Sequence, residues 1–342
     1  MNEERKIWCG IDISRNDMSA ALDIDGELPV RKLPAQSFKR TLEGLQDMLE
    51  WCAARNAALP DLAVFMESTG VYSMEVLQWF QNHFPDIHVS VGNPRHVRHF
   101  IESEHLGNKT DAMDARAIAR MGTIQRPRAT PLPPPEYLQL RTLVRSRDDM
   151  VTKMRSMEVS MDAMLDKASV AYAAYGHAVD AMGRGIAKIE TAIDDLVDRM
   201  PEIGRAVELM CTMPGIGRIA AVTIISELGP FSSDFSRSSF SAYTGLQPVQ
   251  RQSGTSVNSS HLSKNGSPLL RKVLYMCSVH AVKKIPSLAC FHSRQVAKGK
   301  SPISARCACM RKMLLILRSM VLNKREFQEN YVSSFRKKSK AI

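Results

Sequence analysis

The sequence predicts a mixed α/β domain at the N-terminus, a long helical segment after it, and a mainly α-helical, strongly basic region at the C-terminus. Three observations carry this. Strand-like runs KIWCGIDIS, MSAALDI and ELPVRKLPA follow one another before any helical period appears. A proline-rich joint, Pro127 to Pro135 (PRATPLPPP), interrupts the chain where no helix can continue. Charge is segregated as well. Residues 1–130 carry 15 Lys+Arg against 18 Asp+Glu, residues 131–210 carry 10 against 13, and residues 211–342 carry 21 against 4. The net values are −3, −3 and +17, so the whole excess of this 342-residue chain lies in its last third. A charge needed only for solubility has no reason to segregate, and a polyanionic partner is expected.

The elements follow in order. After KIWCGIDIS, the polar turn Arg15-Asn16-Asp17 leads into MSAALDI. Asp25-Gly26 is a hairpin signal, and ELPVRKLPA is expected to return as a third strand. Ser37 can cap a helix running to about Asn56, with Leu42, Leu45, Met48, Leu49 and Cys52 on one face. LAVFMES reads as a short apolar strand, then a helix over 74–83, then the strand HVSVGN, and Pro94 can open another helix. Three consecutive strands followed by alternating helices and strands is the ribonuclease H-like order; a doubly wound sheet would alternate from the start.

Beyond the joint, Leu138, Leu143, Met150, Met154, Met157, Met161 and Met164 recur at three- to four-residue steps for the most part. This is the stripe of a core or partner seam, expected as two long helices broken near Tyr175-Gly176 and packed as a hairpin or across a dimer. The expected divisions are residues 1–126 for the α/β domain, 127–135 for the linker, 136–204 for a helical, coiled-coil-like oligomerisation segment, 205–330 for the basic domain and 331–342 for a disordered basic tail.

Several classes drop out. The apolar runs IAAVTII and MLLIL are far shorter than the roughly 18 residues of a membrane span. The start, MNEERKIWCGID, has no apolar signal-peptide core, so an intracellular, cytoplasmic and nucleoid-associated protein is expected. Seven scattered cysteines read as reduced thiols, and neither Cys307-x-Cys309 nor His96-x-x-His99 has a second pair at zinc spacing.

Four carboxylates stand where chemistry can use them. Asp12 falls in the middle of an apolar strand, where an unpaired carboxylate is costly. Glu67 ends the strand LAVFMES, just before Thr69-Gly70. Asp111 and Asp114, in KTDAMDARAIAR, share a helix face at i and i+3, although Thr110 or Asp111 can equally be the helix cap. Strand-centre, strand-end and helix-face carboxylates converge at one edge of a ribonuclease H-like sheet. Such oxygen donors suit Mg²⁺, and two ions about 3.5–4 Å apart can polarise a phosphodiester and stabilise its leaving oxygen.

In the basic third, Gly215-x-Gly217-x-x-Ala220 matches a dinucleotide fingerprint only loosely, because a proline precedes it and no clear strand leads in. It reads either as a helix–hairpin–helix turn, whose backbone N–H groups, with Arg218 beside them, hold a nucleic-acid phosphate, or as a plain turn between helices. FSAYTGLQPVQRQSGTSVNSSHLSKNGSPLLRKVLYM then reads as a mobile polar loop beside a basic helix, edged by Arg251, Lys264, Arg271 and Lys272. Composition singles out none of its serines, and the segment holds no Asp to complete a triad.

The motifs GIDIS, MESTGVY, NPRHVRHF and NKTDAMDARAIA resemble those of the DEDD transposases of insertion-sequence family one-ten, a group that includes Piv-type DNA invertases. QRQSGTSV and HLSKNGSPLLRKVLYM resemble that family's second domain. The resemblance implies a RuvC-like fold for the first domain, a metal-binding tetrad at Asp12, Glu67, Asp111 and Asp114, and a serine nucleophile at Ser253. It further implies a covalent phosphoserine link to DNA, Mg²⁺ as cofactor, a structured guide RNA pairing with donor and target DNA, and an active site shared between subunits of a dimer or tetramer. Two other readings stand beside it: a metal-dependent nuclease of Holliday-junction type, in which water attacks, and a non-enzymatic nucleic-acid-binding protein.

Overall fold

The computed structural model describes residues 7–57, 61–104, 110–233, 235–253, 257–263 and 265–329. The chain divides into two compact units, Met1–Leu132 and Pro133–Ile342.

The first unit is a five-stranded sheet with helices on both faces. Its strands β1 (Ile7–Ile13), β2 (Asp17–Asp23) and β3 (Ala35–Lys39) pair antiparallel, while β4 (Leu62–Glu67) and β5 (His88–Gly92) add in parallel on the other side of β1, in the order β3-β2-β1-β4-β5. The helices are α1 (Leu42–Ala53), α2 (Val71–His83), α3 (Pro94–Ser103) and α4 (Asp111–Gln125). The two-residue period of β1 divides its side chains between two cores. Cys9, Ile11 and Ile13 pack with Leu45 and Met48 of α1 and with Val76, Leu77 and Phe80 of α2. Trp8 packs on the opposite face with Phe65, Val97, Ile118 and Met121.

Two expectations for this unit are corrected. The third strand begins only at Ala35, because Pro29 and Pro34 supply no ladder donors and Val30–Lys32 forms a 3₁₀ turn instead. That turn is tied to α4, with Arg116 Nε donating to the Leu33 carbonyl at 2.8 Å. Ser37 therefore lies inside β3, its hydroxyl 2.9 Å from that of Ser19. The cap of α1 is Thr41, which accepts from the Gly44 N–H at 3.1 Å. The proline-rich stretch also packs on the sheet: the Thr130 N–H donates to the Val89 carbonyl (2.8 Å) and the Val91 N–H to the Thr130 hydroxyl (2.9 Å).

The second unit is mostly helical. Its long helices α5 (Pro135–Asp162) and α6 (Val170–Asp198) lie antiparallel as a hairpin, with Arg147 on Glu190 at 2.6 Å and Met150 against Gly185. The break falls at 163–169 and not at Tyr175-Gly176, which continue α6. The reason is local capping: Ser169 accepts from the Tyr172 N–H at 3.2 Å and Asp166 from the Ala168 N–H at 2.9 Å, whereas a helical glycine merely lowers propensity. Helices α7 (Pro201–Cys211), α8 (Arg218–Leu228) and α9 (Arg237–Tyr243) follow. Next come strands β6 (Pro248–Ser253) and β7 (Val257–Leu262), then α10 (Pro268–Lys284), α11 (Pro286–Ala297) and α12 (Pro302–Leu322).

The core of this unit is built on α8, where Ala221, Val222, Ile224 and Ile225 are buried against Leu270, Leu274, Met313 and Leu317. A bidentate ion pair locks α8 to α5: Arg145 reaches both Glu227 carboxylate oxygens, at 2.7 and 2.9 Å. All seven cysteines are free thiols, and no described helix is long and apolar enough to cross a membrane.

Candidate active site

Helix α4 runs antiparallel along β1, and glycines set its closeness. Gly122 lies against the Trp8 ring, and Gly10 lies under Ala115 and Ala119. A Cβ on Gly10 would sit 2.1 Å from the Ala119 nitrogen and 2.4 Å from the Ala115 carbonyl oxygen. Trp8, Gly10 and Asp12 occupy one face of β1, so the next step along that stripe brings Asp12 to the N-terminal turn of α4. Asp111 and Asp114 belong to that turn. The cap there is Thr110, whose hydroxyl accepts from the Met113 N–H at 3.3 Å.

Glu67 comes from the neighbouring strand. Ile11 pairs with Met66 in the parallel ladder, so Asp12 and Glu67 leave adjacent strands one residue later. The Thr69 N–H turns back onto the Glu67 carbonyl at 3.0 Å, and Gly70 (φ +74°) permits the sharp entry into α2. Strand centre, strand end and helix start thus meet at one sheet edge.

The electrostatics register that meeting. Burial pushes the Asp12 carboxyl up to about 6, and the negative charges of Asp114, Asp111 and Glu67 add to the rise. The donor set is carboxylate oxygen, the chemistry that suits a hard divalent ion. Among the described residues no three His, Cys, Asp or Glu side chains close into a ready-made metal cage. Mg²⁺ usually keeps several waters and takes only one or two carboxylates together with substrate phosphate.

Ser253 lies elsewhere, in the second unit. The segment read as a polar loop is a β-hairpin, with Pro248 to Ser253 paired antiparallel against Leu262 to Val257. Its Gln, Ser and Asn residues do not alternate with apolar ones, so the sequence carries no strand period. Ser253 ends β6 and pairs with Val257, at the tip of the ribbon. The foot is clamped where Gly245 (φ +70°) meets Gly266: a Cβ on Gly245 would lie 2.5 Å from the Gly266 nitrogen.

The expected nucleic-acid contacts fare differently from one another. Gly215 (φ +95°) turns the chain between α7 and α8 and packs closely on Cys277 and Ala281 of α10, while Gly217 precedes α8 without a side-chain cap. Arg218 reaches Asp194 of α6 at 2.6 Å and Asp198 at 3.5 Å. Lys272 holds Asp148 of α5 at 2.7 Å, and Arg271 donates to the Gly266 carbonyl at 2.5 Å, steadying the hairpin foot. Arg251 belongs to β6, and Lys264 lies outside the described residues. His99 of the His96-x-x-His99 pair faces Glu102 at 3.5 Å on the exposed side of α3. Sequence reasoning missed Gly10, Gly122, Gly245 and Gly266, the residues that set the close approaches. For Gly10 the available signal was a glycine inside a strand.

Two family models match this chain. That of the DEDD transposases of the IS110 group, described as Transposase, covers residues 9–170, and that of the Transposase IS116/IS110/IS902 family covers residues 207–293. The chain is 25% identical over 327 residues to the pilin gene-inverting protein of Moraxella bovis, covering 95% of this chain and 98% of that one. The same figures hold for the pilin gene-inverting protein of Moraxella lacunata. The transposase for insertion sequence element IS1328 of Yersinia enterocolitica is 27% identical over 231 residues, 56% of this chain and 63% of that one. With one match spanning the carboxylate cluster and the other the hairpin and its flanking helices, the chain belongs to the IS110 family of transposases and is a DNA-recombining enzyme.

Proposed function

We propose that the enzyme cuts and rejoins DNA through a metal-bound tetrad, Asp12, Glu67, Asp111 and Asp114, with Ser253 as nucleophile. The observation that carries the reading is the placement of Asp12 at mid-strand, Glu67 at the end of the adjacent strand and Asp111 and Asp114 in the first turn of α4, where their charges help to raise the half-buried Asp12 carboxyl. Divalent ions bound there would polarise the scissile phosphodiester and stabilise the oxygen that leaves. The Ser253 hydroxyl attacks phosphorus and gives up its proton, a phosphoserine ester forms, and one DNA P–O bond breaks to release a strand-end hydroxyl. A hydroxyl from the exchanging strand reverses the step. Bond energy is conserved, so rejoining needs no nucleotide triphosphate.

In the same proposal the first unit is a RuvC-like, ribonuclease H-like domain, for which the antiparallel β1–β3 and parallel β4 and β5 give support. Residues 136–204 serve oligomerisation, and the turn at Gly215 and Gly217 is a helix–hairpin–helix element. A structured non-coding RNA selects donor and target DNA, and subunits of a dimer or tetramer share the active site. A site-specific invertase role is the second reading, favoured by the end-to-end similarity to the pilin gene-inverting protein of Moraxella bovis.

The test is a fully denaturing pull-down from cells carrying the gene with its flanking DNA, followed by sequencing of the attached DNA. Adducts that disappear in both Ser253→Ala and Asp12→Ala are expected. Cleavage that persists in Ser253→Ala would overturn the serine mechanism in favour of water attack.

A further inference from the structure

Phe235 and Tyr243 form a stacked aromatic pair on the surface of the basic region. Their ring centroids are 6.1 Å apart at an interplanar angle of 27°, yet the two residues remain 47% and 54% exposed. Most aromatic surface of this size is buried when a core is within reach, and here one is. Phe240, on the same short helix α9, is 4% exposed and packs edge-on against Phe231 at 5.9 Å. The helix therefore sends one ring inward and stacks another on Phe235 outside.

The outward pair is held in place. Arg318 of α12, 8% exposed, donates from one terminal nitrogen to the Ser232 and Phe235 carbonyls, both at 2.7 Å. Its guanidinium lies 5.0 Å over the Phe240 ring. A buried arginine is thus committed to fixing the backbone beneath an exposed phenylalanine. From Tyr243 the chain passes through the Gly245 clamp straight into β6. The region carrying all this has 21 Lys+Arg against 4 Asp+Glu.

We propose that Phe235 and Tyr243 form a platform on which an unpaired base of the DNA strand undergoing exchange stacks. A flat, pre-ordered aromatic face in a strongly basic region of the chain suits a nucleobase, which offers a π-face whatever its identity. A fully paired duplex keeps its bases stacked on one another and leaves the platform empty. The inference rests on the reading of the basic region as the part that handles DNA. It adds to that reading a preference for opened strands.

The experiment compares the full chain with Phe235→Ala, Tyr243→Ala and Tyr243→Trp. Binding is read by fluorescence anisotropy on a paired duplex, on the same duplex with a central bubble, and on single-stranded RNA of the bubble sequence. Wild type is expected to favour the bubble over the duplex. Each alanine variant should weaken bubble binding by about 5- to 150-fold, the range for loss of a base–aromatic stack, with duplex binding unchanged and Tyr243→Trp close to wild type. A 2-aminopurine in the bubble should be quenched by wild type and not by Tyr243→Ala. Equal bubble binding by all variants overturns the platform. So does equal loss on duplex and bubble, which marks a structural role, and so does preferential capture of the RNA. Wild type that binds no DNA at all overturns the reading of the basic region, and the platform with it.

Discussion

A methyl group at position 10 would lie 2.1 Å from a backbone nitrogen and 2.4 Å from a carbonyl oxygen of α4, atoms that cannot swing aside as a side chain can. Gly10→Ala is therefore expected to lift the helix that carries Asp111 and Asp114 away from Asp12. Its cost should be about 1–3 kcal/mol or more in urea unfolding, with strand exchange lost even where the protein stays folded. Asp12→Asn should do the opposite to stability. Removing one negative charge from a crowded set relieves repulsion, so the metal-free variant should unfold at a higher urea concentration than wild type at pH 8, while forming no covalent DNA adduct. At this scale the sequence was only partly legible. A carboxylate in an apolar strand announces itself, and Asp12, Glu67, Asp111 and Asp114 were all named from their settings. A glycine in a strand says that something comes close without saying what, so Gly10 went unread. Ser253 stood out only by resemblance, because a serine among serines has no physical mark.

Between elements, the join of α5 to α8 turns on Glu227, whose side chain is 1% exposed and is held by Arg145. Burial alone would push its carboxyl up, but the hydrogen bonds and charge of Arg145, with a Ser267 hydrogen bond and the charge of Arg141, together outweigh this and hold it below the usual range. A depressed carboxylate contributes stability that is complete above its unfolded value of 4.5 and fades as pH falls through the folded value. Wild type should accordingly lose stability on acidification below about pH 4.5, and Glu227→Gln should lack that component. Arg145→Met, which strands a buried charge, should cost about 2–4 kcal/mol at pH 7 in thermal or urea unfolding. Element positions were legible where apolar period and cap agreed, as in β1, β4 and α4. They failed where side-chain caps overrode composition, as at Thr41 and Ser169, and in the hairpin, whose polar strands lack an apolar alternation.

For the molecule as a whole, the separation of charge is expected to separate tasks. DNA affinity of the full chain should fall steeply with salt, since each phosphate neutralised releases counterions. Residues 1–132, a compact unit carrying the carboxylates, should bind DNA far more weakly than the full chain in titrations at matched ionic strength. The charge division was plain from the sequence. The close contacts that aim each site depend on tertiary approach and were not.

The Thr110 cap carries a genetic consequence. Because a threonine hydroxyl holds the start of α4, a change at Asp111 is expected to spare the fold and the basic region. A gene copy altered only there should still yield full amounts of folded protein that occupies the same DNA. In the shared assembly proposed above such a product would compete with active subunits, so co-expressing Asp111→Asn with wild type should depress recombination below the level that wild type alone sustains. A recombinase built on that proposal would be open to restraint by its own damaged copies.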